Sequence, residues 1–161
     1  MTTTSPVTAA ALATHPFVRD MRGDHLALLA ETATITSVPA RHRLFEEGRY
    51  AKSFWLIRSG QVALDLHVPG GGRVIVGTVG RGEVLGWSWL FPPHEWQFGA
   101  VTLQPVEAFE LNGAAVRARC DLHEELGHEL TCRFSRVLAD RLRATRCRLA
   151  GQIGYPEGVW R

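Results

Sequence analysis

Between Gly82 and Phe98 the chain reads GEVLGWSWLFPPHEWQF. Gly82 and Gly86 bracket the apolar pair Val84-Leu85, a spacing suited to holding a small ligand at the start of a helix. Backbone N–H groups there attract anions. Yet Trp87, Trp89 and Trp96 stand where a charged ligand would need charged partners. Three chemistries fit these residue types. The rings, with Phe91 and Phe98, can close a pocket and pack a β-fold. They can hold an apolar or aromatic ligand, with Ser88, Gln97 and indole N–H groups setting its orientation. Or they can form a protein contact, where tryptophan is over-represented. Pro92-Pro93 stiffens the loop in each case.

Other reactive side chains do not assemble into a catalytic set. HEELGHE, His123 to Glu129, resembles a zinc-protease helix but spaces its histidines five apart, with Gly127 between. That motif needs them four apart on one helix face. His42, His67 and His94 lie in separate segments without an H-x-H pair, so a metal-binding β-barrel enzyme is not expected. There is no Gly-x-Ser-x-Gly elbow and no phosphate-binding P-loop. Cys120, Cys132 and Cys147 read as small helix hydrophobes. The expectation is a protein that is not an enzyme and carries no metal or resident cofactor.

Length and composition bound the elements that must position the Gly82–Phe98 loop. The 161 residues suit one domain of common size, and 45% hydrophobic content supplies a core. A net charge of +2 gives no global signature of nucleic-acid binding. Three cysteines without a CxxC pair fit a reducing compartment. The N-terminus lacks the basic start and apolar run of a signal peptide. No window approaches the roughly 18 to 20 apolar residues of a membrane span. A soluble cytoplasmic protein is expected.

Residues 1–10 read as a disordered tail, and Leu12 to Ala30 as helical with Asp24 as a helix cap after Gly23. From Ile35 the chain breaks into short β-rich runs punctuated by Gly or Pro: 35–38, 43–45, 53–58, 61–67, 74–79, 84–85, 99–103 and 107–111. Ser59-Gly60 joins two of them as a hairpin, and Gly70 to Gly72 marks the next tip. Strands this short and regular predict an antiparallel β-roll, or jelly roll, of about eight strands over 35–111. After Asn112-Gly113 the texture turns helical over about 114–150, with a break expected near Gly127. Phe134, Leu138, Leu142, Thr145 and Leu149 share one helix face. The fold class is therefore α+β: N-terminal helices, a β-roll and a long C-terminal helix, forming one domain over 11–151 with a tail at 152–161. The helix stripe either buries on its own domain or pairs with another chain.

This plan and its glycines resemble the cyclic nucleotide-binding domain, as in the effector half of catabolite-activator-type regulators. Leu44-Phe45-Glu46-Glu47-Gly48 looks like the family's apolar-Phe-x-x-Gly turn. Phe54 to Val62, containing Gly60, looks like its strand, glycine turn and strand. Arg81-Gly82-Glu83-Val84-Leu85-Gly86 looks like the entry to its phosphate-binding cassette. The resemblance implies a short cassette helix whose first N–H groups meet a cyclic phosphate. It also implies a glutamate for the ribose, an arginine with a Ser or Thr neighbour for the phosphate, and a C-helix over the base. On this chain the glutamate position is Trp87. The arginine position is Gln97, with Phe98 beside it, and Gly99-Ala100 keeps only the small residues. Arg141, Thr145 and Arg146 fall on the helix that would act as lid.

A buried phosphate needs hydrogen bonds and a counter-charge to replace its hydration. A charge-assisted bond contributes about 1.5–3 kcal/mol, so its loss weakens affinity roughly 10- to 150-fold. Micromolar cyclic nucleotide binding through the usual contacts is therefore not expected. The reading is a stand-alone regulatory or accessory module with a degenerate cassette. Its partner is a small apolar or nucleotide ligand, a protein, or a second copy through the C-helix. A genuine cAMP or cGMP receptor and a ligand-free structural subunit are the alternatives. Arg133 to Arg148 carries six arginines against Asp140 alone. No helix-turn-helix pattern follows, so direct sequence-specific DNA binding is not expected.

Overall fold

The computed structural model describes residues 5–153. The chain divides into two compact units, Met1–Gly127 and His128–Arg161.

The first unit is built on eight antiparallel strands in two four-stranded sheets. Their ranges are β1 Ala33–Val38, β2 Arg43–Phe45, β3 Ser53–Ser59, β4 Gln61–Val68, β5 Gly72–Gly80, β6 Val84–Leu85, β7 Gly99–Thr102 and β8 Val106–Asn112. One sheet runs β1-β8-β3-β6 and the other β2-β7-β4-β5. Each expected strand is present, with ends shifted by no more than two residues. The large apolar residues of β3 and β8 pair in register, Leu56 with Phe109 and Phe54 with Leu111. All four side chains are buried. The SFWLIRS run is apolar on both faces because β3 lies inside its sheet and is buried along most of its length.

The N-terminal helices are two short ones with a break between them, where the sequence over Leu12 to Ala30 reads as helical throughout. Helix α1 spans only Ala9–Leu12 and α2 only Gly23–Ala30. Pro16 lacks a backbone donor and biases His15 away from helical geometry. The His15 side chain takes a different job. Its Nδ1 accepts from the Phe17 N–H at 3.2 Å, which leaves Nε2–H to donate to the Ile57 carbonyl at 3.0 Å. Burial holds this imidazole below its ordinary pKa. The structure is also ordered earlier than the expected tail boundary: Pro6 bridges Thr34, Val7 is buried, and the Thr8 hydroxyl caps α1. Asp24 does not cap α2. Arg22 holds that position without a side-chain cap, and Asp24 sits in the first turn, bonded to Arg22.

Helix α3 spans Gly113–Leu122 and starts at Asn112, whose Oδ1 accepts from the Ala115 N–H at 2.9 Å. The break after it falls at His123 (φ −132°, ψ 87°), four residues before the expected site. Gly127 lies inside the next helix, α4, which spans Glu124–Ile153. A Cβ at Gly127 would sit 3.3 Å from the Cys120 Cβ, so the glycine lets the two helices approach rather than ending one.

In the second unit α4 continues from His128. Leu130 and Phe134 are buried, whereas every residue from Leu142 to Gln152 is exposed. Residues 154–161, most of the expected C-terminal tail, lie outside the described residues. Among the described residues, no helix is long and apolar enough to cross a membrane.

Candidate functional site

The segment GWSWLFPPHEWQF connects β6 to β7. Strand β6 is anchored by Trp55 pairing with Leu85 and Leu56 with Val84. The chain then turns at Gly86, in the left-handed region at φ +91°. The family resemblance predicts a short helix here, but no helix forms between β6 and β7. Isolated turns take its place, closed by Leu90 N–H to Trp87 O at 3.1 Å and His94 N–H to Phe91 O at 2.9 Å. The row of aligned N–H groups that makes a helix start attractive to an anion is therefore missing.

The tryptophans divide into two roles. Trp96 is buried and stacks on Phe45 with ring centroids 3.8 Å apart; Trp55 lies 5.6 Å from Phe45 and 5.9 Å from Trp96. A Cβ on Gly86 would come within 2.9 Å of the Trp96 ring, so this ring occupies the space directly against the glycine turn. Trp89 is fully buried and stacks on Phe54 at 4.5 Å. Gly113, at the start of α3, leaves room for it: a Cβ there would lie 2.9 Å from the Trp89 Cβ. Of the three tryptophans in this loop, only Trp87 stays half-buried, edge-on to Phe91 and Phe98 at 6.3 Å each. Ser88 is buried.

The loop is tied down at both ends. Gly48 N–H donates to Trp96 O at 2.8 Å, Trp96 N–H to Arg49 O at 2.8 Å, and Ala51 N–H to His94 O at 2.7 Å. This zips residues 94–96 onto the β2–β3 turn. From α3, the Arg117 guanidinium donates to the Trp89 carbonyl and, at 2.9 Å, to the Tyr50 hydroxyl. Arg117 was not among the residues that the sequence singled out. Nothing local in the sequence marks an arginine 28 residues from the carbonyl it bonds.

The positions that would carry the phosphate are placed as follows. Gln97 is exposed, and its amide donates to the nearby Glu95 carbonyl at 3.1 Å. Phe98 is half-buried. Ala100 is fully buried opposite Phe45 and Leu64. Gly99 therefore faces the other side of its sheet by strand alternation. There Asp65 from β4 and Arg43 from β2 meet over β7, with Arg43 Nη2 at 2.7 Å and Arg73 Nη1 at 3.6 Å from the carboxylate. A Cβ at Gly99 would collide with this pair. The nearby arginines are thus committed to acids, and Asp65 raises the pKa of the Arg43 guanidinium. The turn glycines Gly48, Gly60 and Gly82 have φ of +80°, +87° and +83°. Arg141, Thr145 and Arg146 belong to α4 in the second unit; Thr145 and Arg146 are exposed, and the Thr145 hydroxyl donates to the Arg141 carbonyl at 2.9 Å.

The HEELGHE groups are employed separately. His123 lines a cleft of about 600 Å³ with residues of α2 including Asp24, His25 and Glu31. Arg22–Glu125 and Arg119–Glu31 ion pairs tie α2 to this helical region. His128 contacts the Cys132 sulfur at 3.6 Å. Among the described residues, no cluster of three or more His, Cys, Asp or Glu could hold a metal ion. Burial raises the Cys120 thiol, the opposite of what a nucleophile needs.

Among curated proteins no relative matches the sequence. Solved structures do match. A protein from Geobacter metallireducens GS-15 named for cyclic nucleotide binding is 24% identical, with a TM-score of 0.77, covering 84% of this chain and 98% of its own. A cyclic nucleotide-binding domain from Methylobacillus flagellatus is 20% identical, with a TM-score of 0.74 and coverage of 83% and 75%. The Thermus thermophilus catabolite activator protein is 23% identical, with a TM-score of 0.65; the match covers 83% of this chain and 61% of that one. These likenesses establish the jelly-roll fold. The sequence profile described as "Cyclic nucleotide-binding domain" matches residues 35–123, which include every strand from β2 to β8 and the whole Gly82–Phe98 loop. The chain belongs to the cyclic nucleotide-binding domain family.

Proposed function

We propose that this chain is a regulatory or accessory module of the cyclic nucleotide-binding type whose cassette no longer takes a cyclic nucleotide through charged contacts, and whose output is a protein contact. The observation that carries this reading is Trp96, packed against Gly86 and stacked on Phe45. It turns the glycine bend into a piece of core. Consistent with it are the absence of a helix between β6 and β7, the exposed Gln97, and the commitment of Arg43 and Arg73 to acids. Isothermal titration calorimetry with cyclic AMP, then cyclic GMP, up to millimolar ligand tests it. The expected result is no saturable heat in the micromolar range. Micromolar saturation would instead make the chain a working cyclic nucleotide receptor.

A second reading has one observation in its favour. The buried Trp55 indole N–H has no hydrogen-bond partner, and a buried donor normally finds one. A small aromatic ligand with a single acceptor would satisfy this donor. Indole itself, titrated in the same calorimeter, is the first probe.

A further inference from the structure

The C-terminal half of α4 is a helix without a visible reason to be one. Leu142 and Leu149 are 61% and 52% exposed, and all residues from Leu142 to Gln152 are exposed. Isolated helices this polar are marginal in water and owe their stability to packing of an apolar face. Leu138, Leu142, Thr145 and Leu149 follow one another at steps of four, three and four, the d-a-d-a seam of a heptad pattern. A seam of this period needs a second helix.

The flanking positions say which kind. With Leu142 and Leu149 at a, the e and g positions beside the seam are Ala139, Arg141, Arg146 and Arg148. None is acidic. The acids of this stretch lie away from the seam, with Glu129 bonded to Arg133 and Asp140 to Arg143 along the helix itself. In a parallel pair of identical helices, Arg141 of each would face Arg146 of the other. In an antiparallel pair, g faces g, which sets Arg141 against Arg148, while e faces e, Ala139 against Arg146. Like charges at these positions oppose pairing, whereas Glu or Asp on the partner would favour it.

We propose that the Leu138–Leu149 seam of α4 docks an amphipathic helix of another protein that carries acidic residues beside its own apolar seam, and that it disfavours a second copy of this chain. This assignment names the partner class for the module proposed above and rests on that reading. The seam supplies apolar burial, and the exposed Arg146 and Arg148 supply specificity and a salt-dependent attraction.

The test uses the full chain and two synthetic three-heptad peptides with leucine at a and d. One has glutamate at e and g, the other lysine. Fluorescence anisotropy of each labelled peptide is followed as protein is added, and sedimentation equilibrium of the protein alone reports self-association. The expected result is saturable binding of the glutamate peptide, weakening as salt is raised, with a preference over the lysine peptide of roughly tenfold or more. Arg146→Glu with Arg148→Glu, both on exposed positions, should invert the preference at unchanged helix content by circular dichroism. Leu142→Asp with Leu149→Asp should abolish binding of both peptides. The proposal is overturned if the protein self-associates through α4 and that association is lost in the Leu142/Leu149 variant. It is also overturned if both peptides bind equally or neither binds, or if duplex DNA of arbitrary sequence competes as effectively as the glutamate peptide. Calorimetric saturation by cyclic AMP would strike at the module reading alone and leave these outcomes unchanged.

Discussion

Trp96 and Phe45 lie stacked at 3.8 Å between ring centroids, with an interplanar angle of 14°, and the same indole closes over the Cα of Gly86. One ring from the loop between β6 and β7 thereby locks three segments: β2, the end of β6 and the zipped stretch 94–96. The glycine bend is packed against core aromatic rings. Trp96→Ala should therefore behave as a core deletion and cost about 3–5 kcal/mol of stability. Urea denaturation checks this. A loss below about 1 kcal/mol, within the range of ordinary surface substitutions, would move Trp96 out of the core and reopen the case for a ligand-facing ring.

Arg117 joins α3 to the same loop through the Trp89 carbonyl and to the β2–β3 turn through the Tyr50 hydroxyl. Hydrogen bonds from a charged donor contribute about 1.5–3 kcal/mol. Arg117→Ala should cost a share of that range. Its sharper signature is local: amide hydrogen exchange should rise in residues 86–98 while the β3–β8 pairing keeps its protection. Uniform loss of protection across the roll would assign Arg117 to global stability instead of loop anchoring.

His15 makes stability depend on pH. Its folded pKa lies below the ordinary value because burial disfavours the imidazolium. The unfolded chain therefore binds more protons around and below about pH 6.5. Stability contributed by this group is fully present above that pH and declines as pH falls through it toward the folded value. The urea midpoint should drop between pH 8 and pH 5.5, and the drop should shrink in His15→Gln, which cannot be protonated. An identical pH profile in the variant would remove His15 from the account.

The eight strands and the order of elements were legible in the sequence because each rests on local patterns. β-Branched and aromatic runs bounded by Gly or Pro specify short strands, and Asn112-Gly113 marks the start of α3. The two N-terminal helices are shorter than apolar spacing over Leu12 to Ala30 suggests, because Pro16 interrupts the run, and the helix break falls at His123 rather than near Gly127. Gly127 instead leaves space for Cys120, a neighbour that only the folded chain supplies.

The sequence by itself determined the family. It carries Trp87 and Gln97 as uncharged residues whatever the fold does, because side-chain chemistry is local. It also determined the basic flanks of the α4 seam. Only the tertiary structure decided which tryptophans are core and which stays half-exposed, since burial depends on segments far apart in the chain. The same holds for Arg117 reaching Trp89 and for Arg43 and Asp65 meeting over Gly99. Each of those contacts requires strands or helices to be placed side by side before the groups can touch.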